Sequence, residues 1–148
     1  MPMIQVTLPD GVVNEYSAGI TAGEVVIDIL GRKHGCVAAF VDDEQMDFST
    51  ILSENCTING IGADSEEGIH VMRHSAAHLL AQAVSILYPE AKPTIGPAIE
   101  RGFYYDFANL DGFGEADLKA VQKKMHELAR NNLTVERVEC SEEELADL

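Results

Sequence analysis

The stretch MIQVTLPDGVVNEYSAGITAGEVVIDIL, Met3–Leu30, decides the fold. Ile4, Val6 and Leu8 alternate with polar residues, the period-2 mark of a half-buried strand. Pro9-Asp10-Gly11 is turn chemistry and VVNEYS returns, so the first half reads as a hairpin. The second half changes period. Ala22, Val25, Val26, Ile29 and Leu30 fall on one helical face, and Thr21 with Glu24 has capping-box spacing. Gly31 or Gly35 can end that helix in a left-handed conformation. Beyond it, CVAAFVDD (36–43) is a strand-type run closed by an Asp42-Asp43 turn, and TINGIGA (57–63) is another strand candidate.

A hairpin, one helix and two or three further short strands are satisfied by a small mixed sheet with the helix laid across it. Residues 1–62 are therefore predicted to form a β-grasp-like domain. GADSEEG (62–68) is small, polar and acidic, and serves as a boundary and a helix start, with Ser65 or Asp64 as cap. A long helix is predicted from about Glu66 to Tyr88, stopped by Pro89. On a wheel, Ile69, Met72, Ala76, Leu79, Leu80, Ala83 and Leu87 make its core face. Gly96-Pro97 and Gly102 then read as turns, and FYYDF (103–107) as strand-like.

GEADLKAVQKKMHELARNN (114–132) is an amphipathic helix. Leu118, Val121, Met125 and Leu128 face one way, and Glu115–Lys119 and Lys123–Glu127 are i,i+4 pairs. LTVERVEC (133–140) reads as a strand with Leu133, Val135 and Arg137 on one side. SEEELADL opens a further helix, with Ser141 and Glu144 in capping-box positions. Because a domain seldom stops two turns into a helix, the chain is expected to be an excerpt of something longer. The fold class is α+β: a β-grasp domain at 1–62, and at 63–148 the first part of a second α+β domain built on a long helix.

That helix contains HVMRHSAAHLLAQAV (70–84), which stacks His74 and His78 one turn apart on one face. On the wheel both lie opposite the predicted core face. Two imidazoles at this spacing can contribute to a metal site completed from elsewhere, or orient and activate water at an ester. They also suit a plain solvent face, and the spacing alone does not choose. Ser75 stands where the HExxH motif of metalloproteases has its glutamate. His34, at a helix end, is read as structural. His70 and His126 are assigned no role, and lone Cys140 is read as inert. GIGADSEEG lacks the Lys-Ser/Thr ending of a phosphate-binding loop.

Composition bounds the function classes. The net charge is −15 over 148 residues, so the chain as a whole is repelled by phosphate backbones and is a poor stand-alone nucleic-acid binder. The acidity fits solubility or a salty cytoplasm. Three cysteines without CxxC spacing fit a reduced, cytosolic chain better than a disulfide framework. No apolar run has the length of a membrane span, and the N-terminus lacks the charged and apolar regions of a secretory signal.

Taken in order, VTLPDG (6–11), MRHSAAHLLAQAV (72–84) and IGPAIERGFYYDF (95–107) closely resemble the N-terminal region of the threonyl-tRNA synthetases. Residues 1–62 are similar to the family's TGS domain, a β-grasp module. Residues 63–148 are similar to the first part of the editing domain shared with alanyl-tRNA synthetases and free-standing editing proteins. The resemblance implies a parent that is an ATP-dependent threonine–tRNA ligase, cytoplasmic, with tRNA(Thr) as partner, no membrane partner, and a homodimer contact outside this chain. It implies that the parent clears mischarged seryl-tRNA(Thr), because one methyl gives too little discrimination in binding. His74 and His78 match the family's HxxxH histidines and would position the ester and the attacking water. The family's further editing residues, a lysine and a cysteine–histidine pair, match nothing in this chain. No cofactor is implied for these residues; ATP, magnesium and zinc belong to the parent's synthetic core. A non-catalytic TGS binding module and a free-standing trans-editing protein are the alternatives.

Overall fold

The computed structural model describes residues 2–135 and 138–146. Strands β1 (Met3–Thr7) and β2 (Val13–Ser17) form the expected hairpin, with Ile4 opposite Tyr16 and Val6 opposite Asn14. Its turn is held by the Gly11 N–H donating to the Leu8 carbonyl and the Val12 N–H to the Asp10 carboxylate. The short β3 (Ile20–Thr21) leads into α1 (Ala22–Leu30). The capping box forms as predicted: the Glu24 N–H donates to Thr21 Oγ1 at 3.2 Å and the Thr21 N–H to the Glu24 carboxylate at 2.9 Å.

After α1 come β4 (Cys36–Val41), β5 (Glu44–Met46), β6 (Ile51–Leu52) and β7 (Cys56–Gly62). The main sheet runs β2-β1-β7-β4-β5, with β1 and β7 parallel and the other pairs antiparallel, while β3 pairs with β6 apart from it. This is the mixed sheet the order of elements demanded. The Asp42-Asp43 turn has positive φ at both residues, +48° and +65°, as a two-residue hairpin loop that matches strand twist requires.

Alternation decides the two faces of the sheet. Ile4, Val6, Ala39 and Ile58 pack with Ala22, Val25, Val26 and Leu52 in one buried cluster under α1. Leu30, assigned to the core face from periodicity, is instead 54% exposed. It lies over Gly60, which offers no side chain to cover it. The helix stops at Gly31, with φ +81° but an extended ψ rather than the left-handed helical one.

Ala38 and Ile61, opposite one another in the β4–β7 pair, are buried on the other face of the sheet. There the long helix α2 (Glu66–Leu87) meets β4 and β7. Ser65 caps it, accepting from the Gly68 N–H at 3.0 Å. The expected core face is only partly right. Ile69 and Met72 are 38% and 51% exposed, Leu87 is exposed as well, and the buried residues are Gly68, Ala77, Ala81, Ala83 and Val84. Apolar residues occur nearly all round this helix, so its periodicity fixes no single direction. The small Ala77 and Ala81 admit the closest neighbours, and the burial follows them.

Beyond α2 the chain makes two small two-stranded ribbons. β8 (Lys92–Ile95) pairs with β11 (Asp106–Ala108), and β9 (Ala98–Ile99) with β10 (Gly102–Phe103). Helix α3 (Glu115–Arg130) packs on α2, and Ala83, Val84, Ala91, Val121 and Leu128 form a second buried cluster. Leu118, expected in that core, is 57% exposed. Of the two ion pairs predicted on α3, Glu115–Lys119 forms at 2.7 Å, but Glu127 takes Lys124 at 3.1 Å rather than Lys123. A glutamate C-terminal to its lysine is the poorer i,i+4 orientation, which leaves Glu127 free to choose. The strand expected over 133–140 is not formed at its described residues, which are exposed; Arg137 lies outside them. The last helix, α4 (Glu142–Ala146), has its predicted Ser141–Glu144 capping box.

Candidate functional site

His74 and His78 stand on the second to fourth turns of α2 with both rings exposed. Their Nε2 atoms are 2.9 Å apart and the rings meet edge to face. At that distance one imidazole donates its N–H to the ring nitrogen of the other. Counting 100° per residue, they lie to one side of the buried Ala77–Ala81 line, by about 40° and 80°, rather than opposite it. They are therefore at the edge of the packed face, where other elements reach them.

Those elements are β8 and the segment after it. Thr94, Ile95, Gly96 and Pro97, with Tyr105, face the two histidines across a cleft of about 310 Å³. That volume is at the small end of ligand sites, of the order that holds an amino-acid ester. Thr94 Oγ1 donates to the Asp106 carbonyl at 2.9 Å, which ties the cleft wall to β11. The Tyr105 ring is stacked on Phe107 with centroids 5.0 Å apart, and it lies directly over Gly96. A Cβ at Gly96 would be 2.0 Å from the ring. Glycine at 96 is therefore a packing requirement, and not only the turn signal read from the sequence.

Arg73, one residue before His74, points to the other ribbon. Its Nη1 donates to the carbonyls of Ile99 at 3.1 Å and Glu100 at 2.5 Å. One guanidinium thus holds the β9–β10 turn against α2. Sequence reasoning missed Arg73, Thr94, Gly96 and Tyr105 as parts of the site. The period-2 spacing of Tyr105 and Phe107 was the available signal that two rings share a face.

A second cleft of about 490 Å³ opens on the other side of His78, where Ser75 and Gln82 of α2 meet Leu128, Ala129 and Leu133. His78 touches both clefts, and His74 only the first. The remaining candidates stay away. His34 Nδ1 accepts from the Cys36 N–H and its ring meets Phe48 edge-on, a structural role, though in the loop beyond α1 and not as a cation at the helix end. Burial pushes the Cys36 and Cys56 thiols up, with Asp64 and Asp42 adding to it, so neither has the character of a nucleophile. Cys140 is exposed. Among the described residues no three of His, Cys, Asp and Glu come together as a metal site; two imidazoles would need ligands from elsewhere to hold one. No helix among the described residues is long and apolar enough to cross a membrane.

The geometry can be set beside known proteins. The chain is 42% identical over 145 residues to a threonine–tRNA ligase of Ruthia magnifica, covering 97% of this chain and 23% of that protein. It is 42% identical over 134 residues to the threonine–tRNA ligase of Francisella tularensis subsp. novicida, covering 90% and 21%, and 41% identical to that of subsp. holarctica over the same shares. The chain thus spans between a fifth and a quarter of the length of the curated relatives it matches. No family model matches it. A chain of a solved complex of ATBAG1 with HSP70 aligns over 93% of this chain and 84% of its own, at 17% identity and a TM-score of 0.42, too low to carry an argument.

Proposed function

We propose that this chain is a section of a threonine–tRNA ligase and that His74 and His78 form half of a site that hydrolyses mischarged seryl-tRNA(Thr). The observation that carries the reading is the histidine pair itself: two rings hydrogen-bonded at 2.9 Å across a small cleft from Ile95-Gly96-Pro97 and Tyr105. It is supported by identity of 40–42% to threonine–tRNA ligases over nine-tenths or more of the chain. On this reading residues 1–62 are a TGS-type β-grasp domain and residues 63–148 are the first part of an editing domain. The separate clusters beneath α1 and between α2 and α3 support that division.

Hydrolysis of an aminoacyl ester needs a water aimed at the carbonyl and somewhere for its proton to go. A hydrogen-bonded imidazole pair can accept that proton on the free nitrogen of one ring while the other ring holds it in orientation. The cleft's small size supports the bias towards serine, since an added methyl must displace a wall that Gly96 and Tyr105 already fill. Editing residues from outside this chain complete the site. ATP, magnesium and zinc belong to the synthetic core, and no residue of this chain is assigned to them. The enzyme is cytoplasmic, works on tRNA(Thr) and dimerises elsewhere.

The test is His74→Ala in the full-length ligase. Threonine charging and folding stay near normal, while hydrolysis of seryl-tRNA(Thr) slows by about 100-fold or more, the usual loss on removing a general acid–base group. Clearance of seryl-tRNA(Thr) at the parent rate refutes the role of His74. A full-length protein with no threonine charging at all favours a TGS binding module instead.

A further inference from the structure

We infer that the solvent face of α3 is a surface for the phosphate backbone of RNA, running towards the His78 end of the histidine pair. The naming of RNA as the polyanion rests on the ligase reading; the surface itself rests on charge and position. Helix α3 holds four of the chain's ten Lys and Arg and only three of its 25 Asp and Glu. Everywhere else the chain is strongly acidic. Lys119, Lys123, His126 and Arg130 follow one another at spacings of four, three and four residues, a single stripe directly opposite the buried Val121 and Leu128.

The stripe is about 16 Å long and lines one shallow groove with Gln122 and Ala129. Its charges are available. Lys119 is held only by Glu115, in a pair whose side chains are 73% and 83% exposed, and such pairs exchange readily. Arg130 spends its Nε on the His126 carbonyl, which leaves the outer fork of the guanidinium facing outward. Among the described residues no carboxylate pairs with Lys123 or Arg130. In a chain of net charge −15, a face with an excess of positive charge attracts a polyanion locally while the rest repels it, which orients the ligand as well as binding it.

Position supplies the second, independent observation. Ala129 lines this groove and also the cleft that reaches His78. A strand following the stripe is therefore led, past Ala129, towards the cleft that His78 lines. Phosphate contacts of this type set register and carry no sequence information, which suits a surface whose task is to hold an RNA end in place.

The experiment is a titration of the full-length ligase with a tRNA(Thr) transcript, read by fluorescence anisotropy at several salt concentrations. A Lys123→Glu/Arg130→Glu variant is compared with an Arg32→Glu/Lys33→Glu variant, which changes net charge equally but lies far from α3 in sequence. The α3 variant is expected to lower affinity about tenfold and to cut the slope of log K against log salt by about 1.4–1.8, two phosphate contacts' worth, while the Arg32/Lys33 variant leaves the slope unchanged. Circular dichroism checks that both fold. Equal losses from both variants make the effect one of net charge and overturn the proposal. So does a salt slope in the α3 variant equal to that of the parent ligase. A change in sedimentation with no change in RNA binding overturns it in favour of a second acidic copy as occupant. Weaker binding by the α3 variant, with seryl-tRNA hydrolysis lost in His74→Ala, supports both readings; hydrolysis untouched by His74→Ala while the α3 effect stands removes the editing reading alone.

Discussion

Gly68→Ala would ordinarily be a favourable change. Alanine is better than glycine inside a helix by about 1 kcal/mol, and Gly68 lies in the first turn of α2. Here the sign reverses. A Cβ at Gly68 would stand 1.9 Å from the Gly62 carbonyl oxygen, 2.8 Å from its carbon and 3.1 Å from the Ala63 Cα. These are backbone atoms at the end of β7, paired with β4, and they cannot rotate aside as a side chain would. To restore ordinary contact the start of α2 must retreat by about 1.5 Å. Overpacking of this kind costs about 1–3 kcal/mol. The retreat also stretches the Ser65 cap on the Gly68 N–H, worth about 1 kcal/mol. Set against the propensity gain, the net loss is about 1–3 kcal/mol, which lowers the melting midpoint by about 3 °C for each kcal/mol in a chain of this size. Urea denaturation followed by far-ultraviolet circular dichroism measures it, with an exposed control such as Gln82→Ala showing only a small change. A Gly68→Ala protein as stable as its parent would falsify the claim that α2 is seated on the backbone of β7.

Three further outcomes follow from the same geometry. Gly96→Ala is expected to push the Tyr105 ring off Gly96 and out of its stack on Phe107, slowing seryl-tRNA hydrolysis in the full-length ligase with little change in threonine charging; an unchanged hydrolysis rate counts against the cleft. Asp117 is held below the usual carboxylate range, first by the Tyr88 hydroxyl at 2.7 Å and then by the Gly114 N–H. Because the folded value is lowered, its stabilisation is present above the ordinary carboxylate pKa and is lost as pH falls through the folded value. Acid titration of stability should therefore be less steep in Asp117→Asn than in the parent, and equal slopes refute the assignment. Asp43→Gly is expected to stabilise the protein by about 0.5 kcal/mol, since glycine takes the positive φ of this hairpin turn without strain; the neighbouring Asp42 must be kept, because its carboxylate accepts from the Thr57 N–H at 2.8 Å. A fall in the urea midpoint on Asp43→Gly shows the turn to be specified some other way.

Local rules carried the reading wherever one element's own residues decide its form. The Ile4–Val6 alternation, the Thr21–Glu24 and Ser141–Glu144 boxes and the Ser65 cap each involve partners within a few residues, so chain connectivity alone brings them together. The order of strand, strand, helix and short strands left little choice of sheet, and the structure has that mixed sheet with α1 laid on it. The faces of α2 were another matter. Ile69 and Met72 look like core on a wheel, yet what is buried depends on which neighbours arrive, and those are β4, β7, the two ribbons and α3. Helix α2 is apolar on several sides, so only tertiary packing could choose among them.

The site divides along the same line. Sequence alone placed His74 and His78 one turn apart, because a helix has 3.6 residues per turn whatever surrounds it. It also named the segments IGP and FYYDF. That these segments come back across α2, that Tyr105 settles over Gly96, and that Arg73 reaches two carbonyls more than 25 residues away depends on how two short ribbons fold against one helix. Ribbons of two to four residues a strand carry almost no periodic signal and little stability of their own. Their placement is decided by the contacts they make, which is why the pair could be read from the chain and the cleft around it could not.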